Sequence, residues 1–192
     1  LLTGFEPFHK ASLNSSKEVV ERITHPAVVA KAILPVLFGK SARELCQLID
    51  LHNPDVVMSL GQAEGRREIS FERVALNLDD ARIADNDGNI TVDKAIVNDG
   101  PNAYFATLPA KELVAAVRKG GVAANLSLSA GSFVCNHTFY SALHHLRNRK
   151  ISAGFIHLPL MAEQAGEFPG MPTMELSEMT KGINLTLDYL AS

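Results

Sequence analysis

"VAANLSLSAGSFVCNHTFYSALHHL", residues 122–146, holds the change of pattern that decides the fold of this 192-residue chain. Its first part is a short run with strand character. "SAGS" at 129–132 is a small-residue turn, and Phe139, Ala142, Leu143 and Leu146 then fall at helical spacing. Strand, turn and helix follow one another directly, and the alternation recurs along the chain. Other strand-like runs are the opening residues through Gly4, "VVAKAILPV" from Val28, "DVVMSL" from Asp55 and "AGFIHLPL" from Ala153. Short apolar runs interleaved with helices predict an α/β domain with a mostly parallel sheet.

The helices have readable starts. Ser15 and Glu18 have capping-box spacing ahead of Val19, Val20 and Ile23, and Ser41 and Glu44 repeat it ahead of Leu45, Leu48 and Ile49. Pro109 suits a first helical turn, and Gly120 and Gly121 suit the end of that helix. A last helix is predicted from about Thr173, with Leu176, Met179, Ile183, Leu187 and Leu190 on one stripe. From Arg67 to about Asn102 the pattern differs: "ISFERVALNL" alternates weakly and "DNDGN" carries an Asp-Gly turn signal. This stretch is expected to be strands and a small β-hairpin inserted into the frame of a single domain over residues 1–192. The opening "LLTGF", apolar and without Met, reads as the inside of a first strand whose leading residues are missing.

Composition excludes several function classes. A net charge of −3 gives no electrostatic footprint for nucleic acid, and 46% hydrophobic with 20% charged residues is ordinary for a globular protein. The basic cluster "RNRK" at 147–150 falls where a helix should end, complementing its dipole. No apolar run approaches the ~20 residues that cross a bilayer. Cys46 and Cys135 make no disulfide framework, which points to reduced thiols and a cytoplasmic setting. "GKS" at 39–41 lacks the upstream glycine of a phosphate loop, where Leu34 stands, and "DNDGN" lacks calcium-loop spacing. The seven histidines show no metal-ligand spacing, and neither a metal nor an organic cofactor is expected.

Cys135 therefore sits at or beside a helix N-terminus, where free N–H groups and the helix dipole favour a thiolate and can cradle an oxyanion. Cys46 lies on the apolar stripe of its helix and reads as core. His137 is two residues from Cys135, a turn of ~200° along a helix, so its ring should point elsewhere. His157, after Phe155 and Ile156 at the end of the next strand, is better placed, on the expectation that adjacent strand ends share one crevice. Glu72 in "FERVALN" could orient an imidazole. From these residues alone, Cys135 and His157 stay open between catalytic groups and ordinary core residues.

Four blocks, "GFEPF" (4–8), "GQAEGRREISFERVALNLDDARIADN" (61–86), "GSFVCNH" (131–137) and "GFIHLP" (154–159), together resemble type I pyroglutamyl peptidase. That resemblance implies a single three-layer α/β/α cysteine peptidase domain, cytoplasmic and homo-oligomeric, acting on peptides with an N-terminal pyroglutamate. It implies a triad of Glu72, Cys135 and His157. It further implies that Phe5 and Phe8 sandwich the lactam ring and that Asn14, the Gln62 backbone, Ile83, Phe133 and Val134 complete the pocket. Arg82 matches a residue near the oxyanion site. The chain departs from the family pattern at His9 and Lys10, at Glu64 in "AEGR" and at Ala84 in "RIADN". Two other classes fit less of this pattern: a thiol amidase for another small acyl group, and a binding protein that keeps only the pocket.

Overall fold

The computed structural model describes residues 1–192. In chain order it runs β1 (Leu2–Phe5), α1 (Ser15–Arg22), β2 (Lys31–Leu34), α2 (Lys40–His52), β3 (Val56–Gln62) and β4 (Ile69–Glu72). It continues with β5 (Val74–Leu76), β6 (Ala103–Phe105), α3 (Ala110–Lys119), β7 (Ala124–Ser127), α4 (Val134–Leu146) and β8 (Ser152–Leu158). A short parallel pair, β9 (Leu160–Met161) with β10 (Thr173–Met174), precedes α5 (Leu176–Ala191).

Six strands form one sheet in the order β2-β1-β3-β8-β4-β7. Every neighbouring pair in it is parallel except β4 with β8, so β4 and β7 run against the other four. Helices cover both faces, giving the three-layer α/β/α arrangement that the resemblance implies and the mostly parallel sheet that the alternating pattern predicts. The two-residue period of a strand divides the core. Met58, Leu60, Ile69, Phe71, Ile156 and Leu158 pack to one side with Val19 of α1, Leu113 of α3 and Ile183 of α5. Val57, Ala153 and Phe155 pack to the other with Leu45 and Ile49 of α2 and Phe139 and Leu143 of α4. His157 lies two residues beyond Phe155, and Glu72 is the cross-strand partner of Phe155, so both belong to the face that α4 covers.

Several local readings shift. The cap of α1 is Asn14, whose Oδ1 accepts from Ser16 N at 3.0 Å, and Ser15 falls inside the first turn. Asn caps as well as Ser, so the cap moves back one residue, and with Lys17 at the third helical position no reciprocal box forms. Ser41 does not cap α2: that helix begins at Lys40, and Ser41 Oγ donates to Leu37 O at 2.9 Å. α5 starts at Leu176 because Thr173 and Met174 are drawn into pairing with β9. "DNDGN" makes the turn its Asp-Gly signal predicts, with Gly88 N donating to Asp85 O at 3.0 Å. The Asp85 carboxylate braces it by accepting from Asp87 N at 3.0 Å and Asn89 N at 2.9 Å, and the flanking chain pairs as strand only at the antiparallel bridge of Asp79 with Lys94. The inserted antiparallel pair is β5 with β6, joined through residues 77–102.

The expectation that the strands before Cys135 and through His157 are neighbours is also corrected. β4 lies between β7 and β8, and β7 runs opposite to β8. The residues 128–133 that leave β7 must therefore carry the chain back over the sheet to begin α4.

α4 is held to β5 by Asn136, which is wholly buried. Its Oδ1 accepts from Leu76 N at 2.9 Å, and its Nδ2 donates to Leu76 O at 2.9 Å and Leu78 O at 3.0 Å. Asn136→Ala would leave those backbone groups unpartnered. We expect a loss of about 1–3 kcal/mol of unfolding free energy, read from the urea midpoint.

Candidate active site

Alternation along the strands and the start of α4 converge on one point. Cys135 is the second residue of α4, and Phe133, the residue before the helix, has no side-chain capping bond. The first N–H groups of a helix have no partner within it, so at Val134 and Cys135 they remain available to a developing negative charge. The thiol sits over β3, where a side chain would collide with it. A Cβ placed on Gly61 would lie 3.0 Å from Cys135 Sγ and 2.8 Å from Phe155 Cε1. Glycine at 61 is thus a requirement of close approach.

His157 is 4% exposed and Glu72 1%. The imidazole Nδ1 is 2.8 Å from Glu72 Oε1, which leaves Nε2 on the side of the cleft that Cys135 lines. Burial by itself would lower the His157 pKa. Hydrogen bonding to Cys135 and Glu72, reinforced by their charges, overrides burial and raises it to about 9. The arrangement therefore favours the imidazolium form of His157 beside the Glu72 carboxylate. It can deliver a nucleophile and a proton to the same substrate atom pair.

Above this set opens a cleft of about 850 Å³. Phe5, Phe8, Asn14, Gln62, Arg82, Ile83 and Phe133 all line it, together with Cys135 and His157. Glu72 lies behind His157, out of the cleft. Val134 is fully buried in the core below, so its available group is its main chain. The aromatic wall is ordered by ring contacts, with Phe8 and Phe133 at 5.0 Å and Phe38 edge-on to Phe133 at 5.2 Å.

The loop that carries Phe8 is tied down on several sides. Asn14 Nδ2 donates to Glu6 O at 2.9 Å, Ser15 N donates to Gln62 Oε1 at 2.8 Å, and Ser12 bonds to Glu167. Arg82 and Ile83 reach the cleft because Asp80 and Ser132 exchange bonds, Asp80 N to Ser132 O at 3.0 Å and Ser132 Oγ to Asp80 O at 2.8 Å.

The other sequence candidates have different work. His137 Nδ1 bonds Asp79 Oδ2 at 2.8 Å, and its Nε2 accepts from Gly39 N at 3.1 Å, so neither ring nitrogen serves Cys135. Cys46 is half-buried, and burial with the nearby Asp50 pushes its thiol up to about 11. His144, half-buried against Tyr140, bonds Tyr104, and His145 bonds Asp50. Three site residues escaped the sequence reading: Gly61 under the thiol, Asp79 behind His137, and Arg66, which lies 3.2 Å from Glu72 Oε1. None stands at a diagnostic spacing from its partner.

A family model described as pyroglutamyl peptidase matches residues 1–191. The chain is 48% identical to a pyrrolidone-carboxylate peptidase of Cupriavidus taiwanensis, over 95% of this chain and 88% of that protein. It is 44% identical to one of Bacillus mycoides, over 98% and 90%. Among solved structures, pyroglutamyl peptidase I of Bacillus amyloliquefaciens superposes with a TM-score of 0.90 at 39% identity, covering 96% of this chain and 92% of that one. Pyrrolidone carboxyl peptidase of Pyrococcus furiosus gives 0.90 at 34%, covering 98% and 95%.

Two measurements probe this geometry. An NMR titration of His157 should show a pKa near 9, falling in Cys135→Ala and in Glu72→Gln. With both partners removed it should drop below the ordinary 6.5, since only burial remains. Gly61→Ala should displace the thiol or the Phe155 ring and slow alkylation of Cys135 by roughly 10- to 100-fold.

Proposed function

The chain belongs to the pyroglutamyl peptidase family of cysteine peptidases, and from that premise we propose that its cleft removes an N-terminal pyroglutamyl residue from peptides, with Cys135, His157 and Glu72 as the catalytic set. One observation carries the reading: a buried imidazole held 2.8 Å from a buried carboxylate, on the same cleft wall as a helix-mouth thiol, in a cleft walled by Phe5, Phe8 and Phe133. A pyroglutamyl group is a small uncharged lactam, so it calls for apolar walls and a few hydrogen-bond groups, without a carboxylate to meet an amino terminus.

The thiolate of Cys135 attacks the pyroglutamyl carbonyl carbon, and the carbonyl electron pair moves onto oxygen. N–H groups at the start of α4, together with Arg82, hold that oxyanion. His157 gives its Nε2 proton to the amide nitrogen, the C–N bond breaks and the shortened peptide leaves. Water then yields a proton to His157 and attacks the thioester, releasing pyroglutamate and restoring the thiolate. Glu72 accepts from Nδ1 throughout and stabilises the imidazolium. In line with the resemblance, the proposal extends to a cytoplasmic homo-oligomer.

Hydrolysis of a pyroglutamyl-arylamide tests the reading. Cys135→Ala should abolish turnover and Cys46→Ala should keep it. His157→Ala should lose ~10²–10⁴-fold and His137→Ala far less. Because the imidazolium supplies the leaving-group proton, activity should be present below the raised His157 pKa and disappear as pH rises through about 9. Activity that survives alkylation of Cys135 would overturn the assignment.

A further inference from the structure

We propose that Arg66 is a positioning residue for this reaction, holding Glu72 as a carboxylate during the part of the cycle in which His157 is neutral. The inference rests on the catalytic assignment above. Arg66 Nη2 lies 3.2 Å from Glu72 Oε1 and 3.2 Å from Ser127 Oγ. Ser127 on β7 is the cross-strand partner of Glu72 on β4, so the guanidinium is fixed against two adjacent strands. The Arg66 side chain is 31% exposed whereas that of Glu72 is fully shielded. It reaches from the cleft wall to a carboxylate that solvent does not touch.

Glu72 has few other means of carrying its charge. Imidazole and guanidinium both converge on Oε1, and Oε2 accepts no hydrogen bond. The remaining charged groups on the cleft, Glu64, Asp80 and Arg82, form no ion pair with it. Once His157 has passed its proton to the leaving amine, the imidazole is neutral and Arg66 is the one cation still paired with Glu72. A buried carboxylate facing only neutral groups is strongly disfavoured and takes up a proton instead. A protonated Glu72 would no longer draw on Nδ1–H, and His157 would be a poorer base towards water. Arginine does not titrate in this range, so Arg66 keeps the carboxylate charged until the imidazolium returns.

The test compares Arg66→Gln, Arg66→Lys, Glu72→Gln and the double variant Arg66→Gln/Glu72→Gln on a pyroglutamyl-arylamide, with Cys135→Ala alongside. Arg66→Gln should lower kcat by roughly 10- to 100-fold. It should leave KM within about threefold, a uniform-binding contribution being absent, and move the kcat profile to higher pH. Arg66→Lys, which keeps the charge, should recover most of the rate with an unshifted profile. In the Glu72→Gln background, removing Arg66 should cost little more, because no carboxylate is left to hold. A raised KM with kcat preserved, an unmoved pH profile in Arg66→Gln, or losses that multiply fully in the double variant would each overturn the proposal. If Arg66→Gln does not fold, Arg66→Lys decides alone: near-normal KM supports the role and a large rise in KM refutes it. Turnover in Cys135→Ala would sink the catalytic assignment itself, whatever Arg66 does.

Discussion

A buried carboxylate must be paired, and the 2.8 Å bond between Glu72 and His157 is the pairing on which the site depends. It exists because β4, together with β7, runs opposite to the other four strands of the sheet. The register sets Ser70 against His157 and Glu72 against Phe155. Glu72 and His157 are therefore diagonal neighbours on one face, within reach of side chains of their length. A slip of one residue would turn Glu72 into the opposite core, against Leu60, Ile156 and Leu158. Strand pairing thus also positions this carboxylate–imidazole pair.

The same face explains where the thiol must come from. α4 packs over β8, and its first turn brings Cys135 above Gly61 and beside His157. The neighbouring histidine on that helix is spent on structure. By bonding Asp79 and Gly39, His137 fastens the start of α4 to the loop behind Arg82 and to the start of α2. The cleft walls are likewise held by polar groups turned inward to the protein. Asn14 caps α1 and braces the loop bearing Phe8, and the Gln62 side chain is occupied by Ser15 N. Preorganised walls lower the ordering cost of binding a small rigid ring.

The sequence by itself determined the class of fold and marked out the candidate residues of the site. Short apolar runs and helical stripes are local signals, so β3, β8 and the helices could be read without tertiary contacts. The start of α4 was legible for the same reason, since "SAGSFVCNH" marks a turn into a helix with Cys135 at its mouth. Blocks resembling a known family singled out Glu72 and His157. Only the tertiary structure decided the order and direction of the strands, the placing of β4 between β7 and β8, and the parts played by Gly61, Asp79 and Arg66. Those features are contacts between residues far apart in the chain, such as the 85 positions separating Glu72 from His157. No local periodicity records them, because register and burial are settled only when the whole sheet has formed.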